Sequence, residues 1–166
     1  MISSHKILNT IALLSLSAVG FALFSQHVLE MQPCAWCVLQ RFLFLCIAAI
    51  CLLANFFRSK AWVKVCALLC FALSASGILS AWYQYSVASE LFSCNMTFAD
   101  KFMSQWTGLD ATLPWLFGIF ATCMDARVSL LGFDYSLWGL GLFAVFIVLT
   151  LWVLIRREPR ELFNAL

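Results

Sequence analysis

Four long apolar stretches, at about Ile7–Val28, Val38–Phe57, Trp62–Tyr85 and Ser136–Ile155, decide what this chain can fold into. A bilayer hydrocarbon core of roughly 30 Å takes about 20 apolar residues of helix to cross, and each stretch has that length. With 64% hydrophobic residues, 11% charged residues and a mean hydropathy of +0.96, the chain lies outside the balance of a soluble domain. It reads as an all-α membrane protein, a four-transmembrane-helix bundle in a single domain covering residues 1–166. Loops fall at about 29–37 and 86–135. Gly20-Phe21-Ala22 is a candidate signal-peptidase site, but the apolar run continues past it through Leu23 and Phe24, so the first stretch reads as a span.

Basic residues orient the bundle. Lys6, Arg58, Lys60, Lys64, Arg156, Arg157 and Arg160 all sit at ends that four crossings place on one side, and the positive-inside rule makes that side cytoplasmic. Both termini are then inside. The other side holds Lys101 and Arg127 with the acids Glu90, Asp100, Asp110, Asp125 and Asp134. The net charge of +2 therefore reports topology, and no nucleic-acid patch is visible.

Cys34-Ala-Trp-Cys37 follows Pro33 where a short polar break becomes the second span. Pro33 suits a first helical position, and the first-turn amides and helix dipole stabilise a sulfur anion there. In one helix Cys34, Cys37 and Arg41 stand at i, i+3 and i+7, on a shared face. Arg41 is the one charge in that span. A cation inside a membrane helix is expensive and functional by default; the competing expectation is a side chain that snorkels to the headgroups.

The eight cysteines divide by topology. Cys34, Cys37, Cys94 and Cys123 are external, where disulfides form and persist. The simplest partition is Cys34–Cys37 and Cys94–Cys123, although the sequence leaves three connectivities open. Zinc fits the widely split second pair poorly. Cys46, Cys51, Cys66 and Cys70 lie within spans two and three and read as small packing hydrophobes. In the long loop, Leu113-Pro114-Trp115-Leu116-Phe117-Gly118-Ile119-Phe120 is too short to span and too apolar for water, so it is expected at the interface or against the bundle.

Taken together these residues resemble the DsbB family, the disulfide bond formation protein B of bacterial inner membranes. The likeness rests on Gln32-Pro33-Cys34-Ala35-Trp36-Cys37-Val38-Leu39-Gln40-Arg41 against a P-C-x-x-C-x-x-x-R pattern, and on Phe92-Ser93-Cys94. It extends to Leu113-Pro114-Trp115-Leu116-Phe117 before Cys123, and to Leu131-Gly132-Phe133 ahead of the last span. Two departures stand out. The second cysteine pair is slightly further apart than in the best-known members, and Gln84 occupies the end of span three where some members carry His or Arg.

The resemblance implies a thiol oxidoreductase of the inner membrane, with both loops periplasmic, that reoxidises a DsbA-like periplasmic thioredoxin-fold oxidase and delivers two electrons to the membrane quinone pool, as ubiquinone or menaquinone. The DsbA–DsbB–quinone route is the known means by which the periplasm is kept oxidising. DsbA has a potential near about −120 mV, whereas structural disulfides lie below about −300 mV, so a strong terminal acceptor is needed. No flavin, haem or nucleotide motif is present in the sequence.

By the same resemblance Cys94 would form the mixed disulfide with the partner, Cys123 would move onto Cys34, and Cys37 would be released as the thiolate that donates to the quinone. Arg41 would stabilise that thiolate, and Gln84 would belong to the quinone pocket. Two alternatives are a vitamin K epoxide reductase-like enzyme, whose CxxC comes late in the chain, and a non-enzymatic membrane protein with structural disulfides.

Overall fold

In the computed structural model of the chain, residues 3–57, 59–87, 97–122, 124–126, 128–130 and 132–156 are described. Cys94 and Cys123 lie outside the described residues, as do Arg58, Arg127, Leu131, Arg157 and Arg160. Four long helices, α1 (Ser4–His27), α2 (Ala35–Leu53), α3 (Lys60–Ser86) and α7 (Tyr135–Ile155), are each long and apolar enough to cross a membrane. The expected spans are therefore present, offset at their ends by a few residues.

The start of α2 differs from expectation. Cys34 is its N-cap in extended conformation, with φ −88° and ψ 172°, and its side chain makes no capping bond. Pro33 consequently stands outside the helix instead of in its first turn. Its carbonyl, not constrained by helical geometry, accepts hydrogen bonds from Phe120 N at 3.1 Å and Ala121 N at 3.3 Å.

Around the bundle α1 packs on α2, α2 on α3, and α3 along α7, while α1 and α7 touch little. Asn55 Nδ2 donates to Asn9 Oδ1 at 2.7 Å, fixing one end of α2 against α1. The core between the helices is aromatic. Phe44 and Phe143 stack at 4.2 Å with an interplanar angle of 1°, and Phe146 meets Phe44 edge-on at 6.1 Å. Gly77 makes room for this stack, since a Cβ there would lie 2.5 Å from the Phe143 ring.

Between α3 and α7 the chain forms short pieces: α4 (Phe98–Asp100), running into a π-helical turn at Lys101–Trp106, then α5 (Leu109–Thr112) and α6 (Pro114–Phe117). An antiparallel pair, β1 (Ser129–Leu130) with β2 (Phe133–Asp134), leads into α7. Gly132 supplies the φ of 85° its turn requires. Among the described residues, this hairpin is the one addition to the all-helical expectation.

The apolar segment at Leu113–Phe120 rests against the bundle, as one of its two expected placements had it. Phe117 joins a second core with Cys34, Trp36, Leu39 and Met103, while Trp115 and Phe120 remain exposed.

Candidate functional site: a dithiol at the mouth of an apolar cavity

Cys34 is fully buried beneath α6, and its Sγ lies 3.3 Å from Cys37 Sγ. Cys37 is only half-buried and lines a cavity of about 720 Å³. One turn of helix separates the two sulfurs in sequence, so the N-cap position turns Cys34 under the loop while Cys37 faces the space beside α2.

Cys37 Sγ has a second polar neighbour. Gln84, near the end of α3, donates from Nε2 to Cys37 Sγ at 3.1 Å. The amide N–H directed at Cys37 favours negative charge on that sulfur, for which the Cys34 S–H is the matching donor. The inter-sulfur bond and burial hold the Cys34 thiol well above its ordinary value. Gln84 in turn accepts at Oε1 from Gln40 Nε2 at 2.7 Å. Both amides are buried, where an unpaired amide would be costly.

Arg41 is 4% exposed and does not snorkel. Its Nη1 donates to Gln26 Oε1 on α1 at 2.8 Å and to the Leu116 carbonyl of α6 at 2.5 Å. His27 Nε2 donates to the neighbouring Trp115 carbonyl at 3.0 Å. A four-residue helix leaves its last carbonyls without intrahelical partners, and here α1 and α2 supply the donors. With the two bonds to the Pro33 carbonyl, α6 and the chain after it are pinned over the CxxC pair. Arg41 also lies within electrostatic reach of Cys37 and Tyr135, and its Nε is buried with no hydrogen-bond partner among the described residues.

The cavity runs along the seam where α1 and α7 part. Leu14, Ala18 and Phe21 from α1 and Trp138, Leu142 and Val145 from α7 make it apolar, while Cys37, Gln40, Arg41, Gln84 and Tyr135 gather at one end. Of the residues expected at a site, Cys34, Cys37, Arg41 and Gln84 thus come together. Gln26, Gln40 and Tyr135 join them unforeseen. Gln40 was detectable in principle, as a polar side chain inside an apolar span; the other two stand at helix ends, where polar residues are ordinary.

Cys51 and Cys70 bring their sulfurs to 3.4 Å across the α2–α3 contact, and Cys70 also approaches the Ile47 carbonyl at 3.9 Å. Both are fully buried in the core away from the cavity. They fill space between helices, as free cysteines commonly do.

Comparison with known proteins identifies the family. The family model for disulfide bond formation protein DsbB matches residues 4–153. A disulfide bond formation protein B of Herminiimonas arsenicoxydans is 30% identical over 161 residues, covering 95% of this chain and 99% of that protein. One from Ralstonia nicotianae is 34% identical over 163 residues, covering 95% and 98%. One from Aeromonas salmonicida is 32% identical over 142 residues, covering 81% of each. With a match spanning all four long helices and the CxxC pair between the first two, the chain belongs to the DsbB family of disulfide-forming membrane oxidoreductases.

Proposed function

We propose that the chain is a single-domain protein-dithiol:quinone oxidoreductase of the bacterial inner membrane. On this reading it reoxidises a DsbA-like periplasmic partner through Cys94 and Cys123, then through Cys34 and Cys37, and the electrons pass to ubiquinone or menaquinone. Both termini are cytoplasmic and the active cysteines periplasmic, in keeping with Lys6, Lys60 and Lys64 at the end of the bundle remote from Cys34.

The observation that carries this reading is the position of Cys37. One face of its sulfur meets Cys34, and the other meets a cavity of about 720 Å³ at its polar end. That volume falls in the range of about 300–1,000 Å³ typical of cofactor sites. The chemistry of the donor set fits a quinone. Apolar walls suit the ring and tail, and the open seam between α1 and α7 gives access from lipid. Arg41, which lines the polar end of the cavity, would supply a guanidinium to a carbonyl oxygen there. When bound, a quinone supplies an acceptor for two electrons and two protons.

The protein's own part is thiol–disulfide exchange. The partner's two thiols lose two electrons and two protons as its disulfide forms, while Cys94–Cys123 opens to two thiols. The same exchange then closes Cys94–Cys123 and opens Cys34–Cys37. Cys34 remains the protonated member of the pair, and Gln84 and Arg41 favour negative charge on Cys37.

The test is quinone consumption by the purified chain in lipid nanodiscs, given a reduced thioredoxin-fold dithiol oxidase and ubiquinone or menaquinone analogues in turn. One partner disulfide should appear per quinone reduced, and Cys37→Ser should abolish quinone reduction and hold partner oxidation to the single equivalent that Cys94–Cys123 supplies. Repeated partner oxidation without quinone consumption would reject the reading.

A further inference from the structure

We propose that Gln40 is a positioning residue that acts on Cys37 through Gln84, with Gly139 on α7 providing the clearance that orients it. The inference deepens the reading of Cys37 as the sulfur that faces the acceptor and rests on that reading.

A glutamine amide carries its acceptor and its donors at opposite ends. Whichever end of Gln84 meets Cys37 decides which charge state of the sulfur is favoured. With Nε2 toward the sulfur the amide donates to a thiolate; rotated by half a turn, it presents Oε1, which accepts from a thiol and repels a thiolate. Gln40 settles the choice, because its Nε2 donates to Gln84 Oε1 at 2.7 Å and so points Gln84 Nε2 at Cys37 Sγ, 3.1 Å away.

Gln40 faces the same ambiguity, and α7 resolves it. A Cβ at Gly139 would lie 2.7 Å from Gln40 Oε1, with its next nearest neighbour 3.8 Å away on the same side chain. Gly139 presents only hydrogen in that direction, and the space left admits a bare carbonyl oxygen more readily than an NH₂ group with its two hydrogens. Any side chain at position 139 would occupy the space the Gln40 oxygen uses. Three helices therefore supply one directed chain, from Gly139 to Gln40 to Gln84 to Cys37. Among the described residues, the other charged or titratable groups that interact with Cys37 are Cys34 and Arg41 at the start of α2 and Tyr135 on α7.

A purely structural role, in which Gln40 and Gln84 only bond α2 to α3, predicts changes in stability alone. The experiment uses the full chain in quinone-free detergent, reduced, with iodoacetamide alkylation of Cys37 followed by mass spectrometry as a function of pH. Gln40→Met keeps the length and removes the donor. Gly139→Ala leaves every polar group in place and displaces the Gln40 oxygen.

Each should slow Cys37 alkylation at neutral pH by about 5- to 10-fold, the size expected for loss of one ordinary hydrogen bond, and move its pH profile upward. The double variant should be no slower than Gln40→Met alone, because the clash and the relay share one side chain. If Gln40→Met fails to fold, Gly139→Ala alone carries the test, with helical circular dichroism checking its fold.

An unchanged pH profile in a folded Gly139→Ala protein, or additive losses in the double variant, would overturn the proposal. Because the readout contains no quinone, it is independent of whether the wild-type chain reduces quinone, so the two readings fail separately.

Discussion

Replacing Arg41 with methionine tests two roles that the structure assigns to one side chain. The guanidinium holds α6 down through the Leu116 carbonyl and holds α1 through Gln26. A hydrogen bond to a charged group contributes about 1.5–3 kcal/mol. Since both bonds share Nη1 and both acceptor residues are half-buried, their joint loss should cost about 3 kcal/mol, at the low end for a pair. The destabilisation should concentrate in the segment 109–122, which limited proteolysis in detergent would read as faster cleavage there with the four long helices protected.

The second role is electrostatic. A preorganised donor aimed at developing negative charge is typically worth about 2.7–4 kcal/mol of barrier, or roughly 10²–10³ in rate. Arg41→Met should therefore lower stopped-flow quinone reduction by that factor, and exchange at Cys94, followed separately, should change far less. Arg41→Lys keeps the charge without the planar fork and should fall between. Gln26→Leu removes one acceptor and leaves the cation, so its rate should drop less than about tenfold. An Arg41→Met protein that keeps its proteolytic pattern and reduces quinone at the unmodified rate would refute the whole argument.

Three further outcomes follow from the same geometry. Gly77→Ala would drive a Cβ to 2.5 Å from the Phe143 ring, an overpacking of about 1–3 kcal/mol; its thermal midpoint should fall while thiol exchange is unaffected, and an unshifted midpoint would contradict the packing described. Thiol trapping with mass spectrometry should find resting disulfides Cys34–Cys37 and Cys94–Cys123, with Cys46, Cys51, Cys66 and Cys70 reduced; a resting bond between Cys51 and Cys70, whose sulfurs are 3.4 Å apart, would break that partition. Cys123→Ser should accumulate a mixed disulfide between Cys94 and the partner, and a trapped species running through Cys34 instead would reverse the order of the two pairs.

The spans and the CxxC–Arg spacing were legible because each depends on residues close in sequence. Which side chains meet across helices was not. A helix in lipid needs no polar outer face, so α1, α3 and α7 lack the one-sided hydrophobic pattern that would show which flank turns inward. Gln84 is visible in the sequence only as a polar residue near a helix end; that its amide reaches Cys37 requires the pairing of α2 with α3. Arg41 read as either functional or snorkelling, and its partners Gln26 and Leu116 come from α1 and a short helix in a distant loop. The first turn of α2 was misplaced for a local reason. Pro33 is compatible with a helical start but does not demand one, and bonds from Phe120 and Ala121 to its carbonyl favour the extended alternative.

That misplaced turn organises the site. Had the helix begun at Pro33, Cys34 would lie in the first turn, with its sulfur directed by the same helical geometry as Cys37. As an extended N-cap, Cys34 is instead sealed under α6 and the Pro33 contacts, while Cys37 opens on the apolar cavity. The two sulfurs remain 3.3 Å apart, yet one faces packed protein and the other the cavity. On the proposed relay a water-soluble dithiol must be served from one side and a lipid-soluble acceptor from the other, and a disulfide between these two sulfurs is a bond whose ends belong to both. On that relay, exchange at Cys34 requires the α6 cover to lift, which breaks the two bonds to the Pro33 carbonyl and those of Arg41 and His27 to α6. Arg41, bonded to α6 while lying beside Cys37, is the side chain through which that lifting is felt at the second sulfur.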